Sequence, residues 1–195
     1  MKILAGLTVL ALTTPAHAAN AALYDRLEAM DYLQQGYVAT RTKQGINFNS
    51  KARMNLPGIP EHPRRHIEIE GPSPTPVASL RTSLDAAIAA TEPDVDTTYR
   101  ADENTRHGLN ITTVDVNGVD VAFLSYRSAR EPDAYCRRAL IHTPKGDYVA
   151  TMSMHGASPR DRAGMALEVL VIDMVNSGLL TRTEPSWLRR FAPAK

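Results

Sequence analysis

The dipeptide Asn117-Gly118 lies between two runs, residues 110–116 and 119–126, in which apolar and polar residues alternate. Such alternation is typical of β-strands, and Asn-Gly between two alternating runs is a strong signal for a two-residue turn. The runs are therefore predicted to form a hairpin in which Val116 faces Val119. One face of this hairpin is expected to be core, because the register collects apolar side chains there: Val114, Val116, Val119, Val121 and Phe123.

A second hairpin is predicted further along the chain, with its turn at residues 144–147 (PKGD). A turn of this length pairs Thr143 with Tyr148. The alternation then gives one apolar face: Ala139, Ile141, Tyr148, Ala150, Met152 and Met154. The opposite face is predicted to carry a different set: Cys136, Arg138, His142, Ser153 and His155.

Three helices are predicted around these hairpins. Residues 21–35 have apolar side chains at spacings of three and four, the pattern of an amphipathic helix. Residues 79–90 repeat this pattern, with Ser79 or Thr82 as the capping residue. Residues 165–175 are apolar on most sides, so we expect this helix to pack on the sheet.

Two further regions have the pattern of strands. Residues 37–48 alternate as a hairpin that is interrupted at Gln44-Gly45, and residues 66–70 (HIEIE) alternate as a single strand. Prolines flank the single strand, so we expect it at an edge of the sheet. Residues 19–195 are thus predicted to form one α+β domain, with an antiparallel sheet of about five to six strands packed against N-terminal, middle and C-terminal helices.

Residues 1–18 have the order of a secretory signal peptide. Lys2 precedes an apolar run over residues 3–12, and the small residues Ala16 and Ala18 follow. We expect cleavage after Ala18 and a periplasmic or secreted protein. The apolar run is about half of the roughly 20 residues that a helix needs to cross a bilayer. No membrane span is therefore predicted once the signal is removed.

Charge and composition narrow the choice of partner. Removal of the signal takes away one lysine and leaves 21 of the 22 basic residues against 21 acidic ones. Nucleic acid is therefore not an expected partner, because binding to phosphates depends on a basic surface. The single cysteine, Cys136, excludes an internal disulfide framework. No cofactor is predicted, since the sequence contains no phosphate-binding or metal-binding motif.

Cys136 and His155 are the candidate chemical site, because the predicted register places them opposite each other. A thiol beside an imidazole can act as a nucleophile or as half of a metal site. The alternative is a buried, inert Cys136, since the flanking sequence resembles no cysteine-enzyme motif. His62 and His66 would align as metal ligands on a helix, but the prolines around them oppose a helix.

Several short sequence motifs and two predicted helices follow one another in a characteristic order: GINF, NLPG, HIEIEGP, the helix at residues 79–90, VNGVDVAFLSY, GDYVATMS and a terminal helix. In this order the chain resembles the PsbP-like and DcrB-like α/β sandwich over residues 45–180. The proline-rich segment and the polar residues 91–107 depart from that group. The resemblance implies a sheet clasped between helices in an exported accessory protein without an enzyme active site.

These observations predict a non-catalytic exported protein that binds another protein, either as an envelope assembly factor or as an immunity protein against a secreted toxin. The alternative is a periplasmic enzyme or metal-binding protein that uses Cys136 and His155. Recognition often lies in loops, so contact is expected at residues 57–76 and 91–107. Tyr and Arg are enriched at interface hot spots. The expected anchors are therefore Tyr99, Arg100 and Arg106.

Overall fold

Seven strands form one antiparallel sheet in a computed structural model of the protein, which describes residues 15–51, 65–73, 79–100, 103–131, 134–144, 146–155 and 165–180. In chain order they are β1 (Tyr37–Arg41), β2 (Gly45–Ser50), β3 (Arg65–Glu70), β4 (Leu109–Val116), β5 (Val119–Arg127), β6 (Ala134–Thr143) and β7 (Gly146–His155). In space the order is β1-β2-β3-β7-β6-β5-β4, so β1 and β4 are the two edge strands of the described sheet.

Four α-helices accompany the sheet: α1 (Pro15–Glu28), α2 (Asp31–Gly36), α3 (Leu80–Thr91) and α4 (Met165–Asn176), with a 3-10 helix at Glu92–Asp94. The α+β class is as predicted. None of the helices that the structure describes is long and apolar enough to span a membrane.

The prediction of a single helix over residues 21–35 is wrong, because the chain breaks between α1 and α2. Met30 has an extended backbone, with φ −72° and ψ 121°. The break turns Leu33 into the same core cluster that buries Leu27. Helix α3 begins as predicted, since the Ser79 hydroxyl accepts a hydrogen bond from the Thr82 N–H at 3.3 Å.

The strand count and two placements also differ from the prediction. The sheet has seven strands rather than five or six. Strand β3 lies between β2 and β7, not at an edge, because the flanking prolines fall outside the strand and leave its amides free to pair. The helices do not all pack on the sheet in the predicted way, since α2 adjoins α1 and the edge strand β1.

The two predicted hairpins have different outcomes. Val116 pairs with Val119, which confirms the turn at Asn117-Gly118. In the second hairpin Thr143 pairs with Gly146, so the turn is two residues long and the predicted pairing of Thr143 with Tyr148 is wrong. The register is shifted by an even number of residues. Each side chain of β6 and β7 therefore stays on its predicted face.

The first face of the sheet forms the larger core cluster, against α1, α2 and α4. Strand residues of this cluster include Ile46, Phe48, Ile67, Ile69, Val121, Phe123, Ile141, Tyr148, Met152 and Met154. Helix residues include Leu23, Leu27, Leu33, Leu167, Leu170, Val171 and Met174. The residues expected from both hairpin registers to be core are thus buried, apart from Val114 and Val116 on the edge strand.

The second face has a smaller apolar cluster under α3. Strand residues Ala122, Leu124, Tyr126, Cys136 and Leu140 pack there beneath Leu80, Leu84, Ala87 and Ile88 of the helix. The sheet is therefore covered on both faces, and β5 and β6 are buried on both sides.

Candidate functional site

Cys136 lies inside the second-face cluster and is only 7% exposed. It pairs with Ser153 on β7 and with Tyr126 on β5, not with His155. Burial, and to a smaller extent the nearby negative charge of Asp94, raise the pKa of the Cys136 thiol to about 11, although a hydrogen bond with Tyr126 acts in the opposite direction. The thiol is therefore protonated near neutral pH, which is the inactive form for nucleophilic attack and for metal binding.

His155 pairs with Ala134, which lies two residues before Cys136 on β6. Its Nε2 lies 3.3 Å from Glu131 Oε2, on a side chain that is 42% exposed. The two-residue shift in register separates His155 from Cys136, since the predicted pairing depended on the longer turn. His155 therefore does not form the pair with the thiol that the sequence predicted.

A network of polar side chains joins α3 to the β6–β7 hairpin on the second face. The Ser83 hydroxyl donates to Asp147 Oδ2 at 2.5 Å, and His142 Nδ1 lies 2.7 Å from Asp147 Oδ1. Ser83 and Asp147 are both buried. The Asp147 backbone is held as well, because its N–H donates to the Ser73 hydroxyl at 3.1 Å and its C=O accepts from the Ser73 N–H at 2.8 Å.

The order of groups in this network is serine, carboxylate, imidazole. A catalytic triad needs the imidazole beside the serine, where it can take the hydroxyl proton. Here Asp147 separates Ser83 from His142, so the network is suited to fastening a helix and not to activating a nucleophile. Sequence analysis missed it because Asp147 was assigned to a four-residue turn, whereas the shorter turn places it inside β7.

Metal binding finds little support in the described residues, where no group of three or more His, Cys, Asp and Glu side chains could hold an ion. His66 Nδ1 lies 2.8 Å from Asn49 Oδ1 on β2. His62 lies outside the described residues, as does most of the proposed contact region at 57–76.

The three expected anchors lie in the segment between α3 and β4. Tyr99 is partly buried and packs against the larger core cluster. Arg100 is exposed, and its Nη1 donates to the C=O groups of Thr97 and Tyr99, each at 3.0 Å. Arg106 is exposed, and it forms no ion pair with the residues that the structure describes. The segment is thus folded against the domain, and Arg106 is the anchor that points most freely outward.

Arg106 is attached to the outer side of β4. Its N–H donates to the Leu109 C=O at 2.9 Å, and the Leu109 N–H donates to the Arg106 C=O at 3.0 Å. A shallow depression adjoins this contact. Its lining residues are Asn104, Arg106, Leu109, Asn110, Ile111 and Thr112.

The outer side of β4 beyond Leu109 is open within the part of the chain that the structure describes. In a two-residue hairpin the residues flanking the turn form a hydrogen-bonded pair, and bonded pairs then alternate along the strands. Because Val116 pairs with Val119, the backbone groups of Ile111, Thr113 and Asp115 point away from β5. Leu109 has the same parity and indeed bonds outward, to Arg106.

Comparison with known proteins adds little to this geometry. No known family matches the chain, and no curated protein matches it significantly. A crystal structure of a Pseudomonas aeruginosa protein of unknown function is similar to it, with 11% sequence identity and a TM-score of 0.40, over 77% of this chain and 99% of the other. A similarity at this level supports no inference about function, which has to come from the residues themselves.

Proposed function

We propose that this protein is an exported, non-catalytic binding protein whose partner is another protein. The partner is either a component of an envelope assembly or a secreted toxin that the protein neutralises. The observation that carries the proposal is the outer side of β4 beside Arg106, with which no strand pairs in the described part of the chain. Exposed strand edges are templates for pairing with another chain, and natural proteins usually cover or blunt them.

The chemistry of the polar clusters favours binding over catalysis. Burial holds the Cys136 thiol in its neutral form, and His155 is paired with Glu131 instead. Asp147 is committed to fastening α3. These contacts give the polar groups of the second face a structural role.

Membership in the PsbP-like and DcrB-like group belongs to the same proposal. This membership rests on the order of the short sequence motifs along the chain. A sheet with helices on both faces is compatible with it. We use it for one point, which is that exported accessory proteins without an active site are built on this architecture.

The test is a pull-down with the purified exported protein, from periplasmic extract and separately from secreted material, with partners identified by mass spectrometry. Replacing Tyr99, Arg100 and Arg106 with alanine is expected to abolish recovery of the partner, because hot-spot truncations typically cost 2 kcal/mol or more. The control replaces one tyrosine and two arginines that are exposed elsewhere on the domain: Tyr32, Arg26 and Arg81.

The source of the partner separates the two roles. If the protein is an assembly factor, its partner is recovered from periplasmic extract. If it is an immunity protein, its partner is a toxin recovered from secreted material. If both triple variants recover the partner equally well, the segment between α3 and β4 is not part of the interface. Absence of any protein partner, together with turnover of a substrate by the purified chain, would overturn the proposal in favour of an enzyme.

A further inference from the structure

The open part of β4 has a defined length and defined ends. It begins after Leu109, whose outward backbone groups are taken by Arg106, and it ends at the turn at Asn117-Gly118. Three residues in between, Ile111, Thr113 and Asp115, point their N–H and C=O groups outward. An added strand can therefore form bonded pairs at three positions.

The other edge of the described sheet is less open. Strand β1 has five residues, and the N–H of Tyr37 at its start is bonded to the Leu33 C=O. Arg41 at its end is held to Asp25 and Glu28 of α1, at 2.5 Å and 2.7 Å. Strand β4 has eight residues, so it is the better template for a further strand.

The side chains along β4 specify what such a strand should contain. Ile111 and Val114 are each 39% exposed, one on each face of the strand. Asp115 is exposed near the turn, where its Oδ1 accepts a hydrogen bond from the Gly118 N–H at 3.0 Å. Arg106 is exposed at the opposite end. The edge thus carries a negative charge at one end, apolar side chains along its length and a positive charge at the other end.

We propose that β4 captures an extended segment of the partner protein as an additional antiparallel strand, with a basic residue opposite Asp115, β-branched residues opposite Val114 and Ile111, and an acidic residue beside Arg106. This inference rests on the proposed function and names the partner's recognition element. Antiparallel addition matches every other pairing in the sheet. Opposite charges and β-branched pairs across strands each contribute roughly 0.2 to 1 kcal/mol, and backbone pairing at an edge is a known mode of peptide recognition.

The order of charges fixes the direction of the segment. A peptide Lys-Val-Thr-Thr-Val-Glu laid antiparallel places its lysine opposite Asp115, its third residue opposite Thr113 and its fifth opposite Ile111. Its glutamate then lies nearest Arg106. The reversed peptide Glu-Val-Thr-Thr-Val-Lys would place like charges together at both ends, so it serves as a control with identical composition.

The hydrogen-bond alternation supplies a second control within the peptide. Its first, third and fifth N–H groups face β4, whereas the second and fourth face away. Methylation of the third backbone nitrogen is expected to weaken binding by at least about tenfold, and methylation of the second to leave it within about twofold. Chemical-shift titration of the ¹⁵N-labelled full chain measures both dissociation constants and should locate the changes at Ile111, Thr113 and Asp115.

On the protein side, Thr113→Pro removes an N–H that faces outward and so leaves the β4–β5 ladder intact. It should abolish binding of the peptide and of the partner, with a denaturation midpoint close to that of the native chain. Equal weakening by both methylated peptides, tighter binding of the reversed peptide, or shifts confined to residues away from β4 would overturn strand addition. A β4-paired homodimer in sedimentation, dissociated by Thr113→Pro, would overturn it too.

The same variant separates this inference from the proposed function. If alanine at Tyr99, Arg100 and Arg106 abolishes partner recovery while Thr113→Pro, still folded, does not, then the protein is a binder that does not use strand addition. If no variant and no native protein recovers a partner, the proposed function itself fails.

Discussion

The hydroxyl of Ser83 donates a hydrogen bond to the carboxylate of Asp147 at 2.5 Å, so α3 is tied to β7 close to the turn of the β6–β7 hairpin. We expect Ser83→Ala to lower the free energy of unfolding by about 1.5 to 3 kcal/mol, since the bond is buried and its acceptor is charged. Asp147→Asn should cost a comparable amount, because it weakens the bonds to both Ser83 and His142. Chemical denaturation monitored by circular dichroism measures both.

The control for this prediction is Asp85→Asn. Asp85 is an exposed acid on the same helix, so its loss of charge should change stability by less than about 0.5 kcal/mol. A comparable loss in the control would mean that the cost of Asp147→Asn reflects the loss of a negative charge and not the buried bond.

Cys136 is expected to react slowly with alkylating reagents in the native protein at pH 7 to 8 and rapidly after unfolding. Burial both covers the thiol and raises its pKa to about 11. Between its ordinary pKa and about 11 the native thiol keeps a proton that the unfolded chain releases. Stability should therefore fall as pH rises through this range. A control thiol, Ala86→Cys in a Cys136→Ala background, lies on an exposed part of α3 and should react as a free thiol.

Replacing His155 with alanine tests whether the imidazole activates the thiol. The side chains are not paired, so the labelling rate of Cys136 should not change. A rate that falls with this variant, or rapid labelling of the native protein, would revive the reactive pair.

Phe123→Ala is expected to destabilise the domain by roughly 3 to 5 kcal/mol. The ring is buried in the larger core cluster, and the Arg137 guanidinium lies over it at 5.2 Å from its centroid. Thermal and denaturant unfolding measure the loss. Val38→Ala is the control, because Val38 is 55% exposed on β1 and its truncation should cost almost nothing. Equal costs would contradict the assignment of Phe123 to the core.

Export should yield a chain that begins at Ala19. The described part of α1 starts at Pro15, so cleavage after Ala18 would remove its first turn and leave Leu23 and Leu27 in the core. Mass spectrometry of periplasmic or secreted material gives the N-terminus. Ala18→Leu removes a small residue that the cleavage site needs, and it should leave the precursor unprocessed. Native protein that keeps Met1 in the membrane fraction would contradict export.

Turn chemistry explains which parts of the fold were predictable. Asn117-Gly118 is a local signal, and it gave the register of β4 with β5 directly. Residues 144–147 contain three turn-forming residues, Pro144, Gly146 and Asp147, and the chain makes the shorter turn before Gly146, so the pairing was predicted two residues out. Faces were still right, since a strand has a period of two. A shift of two residues does change which residues are paired, so the predicted pairing of Cys136 with His155 was wrong.

Other features depend on packing that no local pattern reports. Strand β1 pairs with β2 as the hairpin predicted over residues 37–48, but its place at the edge of the sheet, where its residues after Tyr37 are all exposed, has no local signal. The break at Met30 occurs inside a good helical pattern, because burial of Leu33 decides it. The Ser83–Asp147 bond joins residues that are distant in sequence. The open edge of β4 was likewise invisible, since it depends on which strands lie at the ends of the sheet.

The ladder between β3 and β7 has a consequence for how the chain reaches this structure. Strands β1 to β3 and strands β4 to β7 each pair with their neighbours in sequence, and the six pairs from Arg65–Met154 to Glu70–Val149 are all that join the two groups into one sheet. Closing a contact across so long a stretch of chain is slow. The first three strands can therefore join the other four only after β7 has been synthesised, so the complete sheet forms late in the synthesis of the chain.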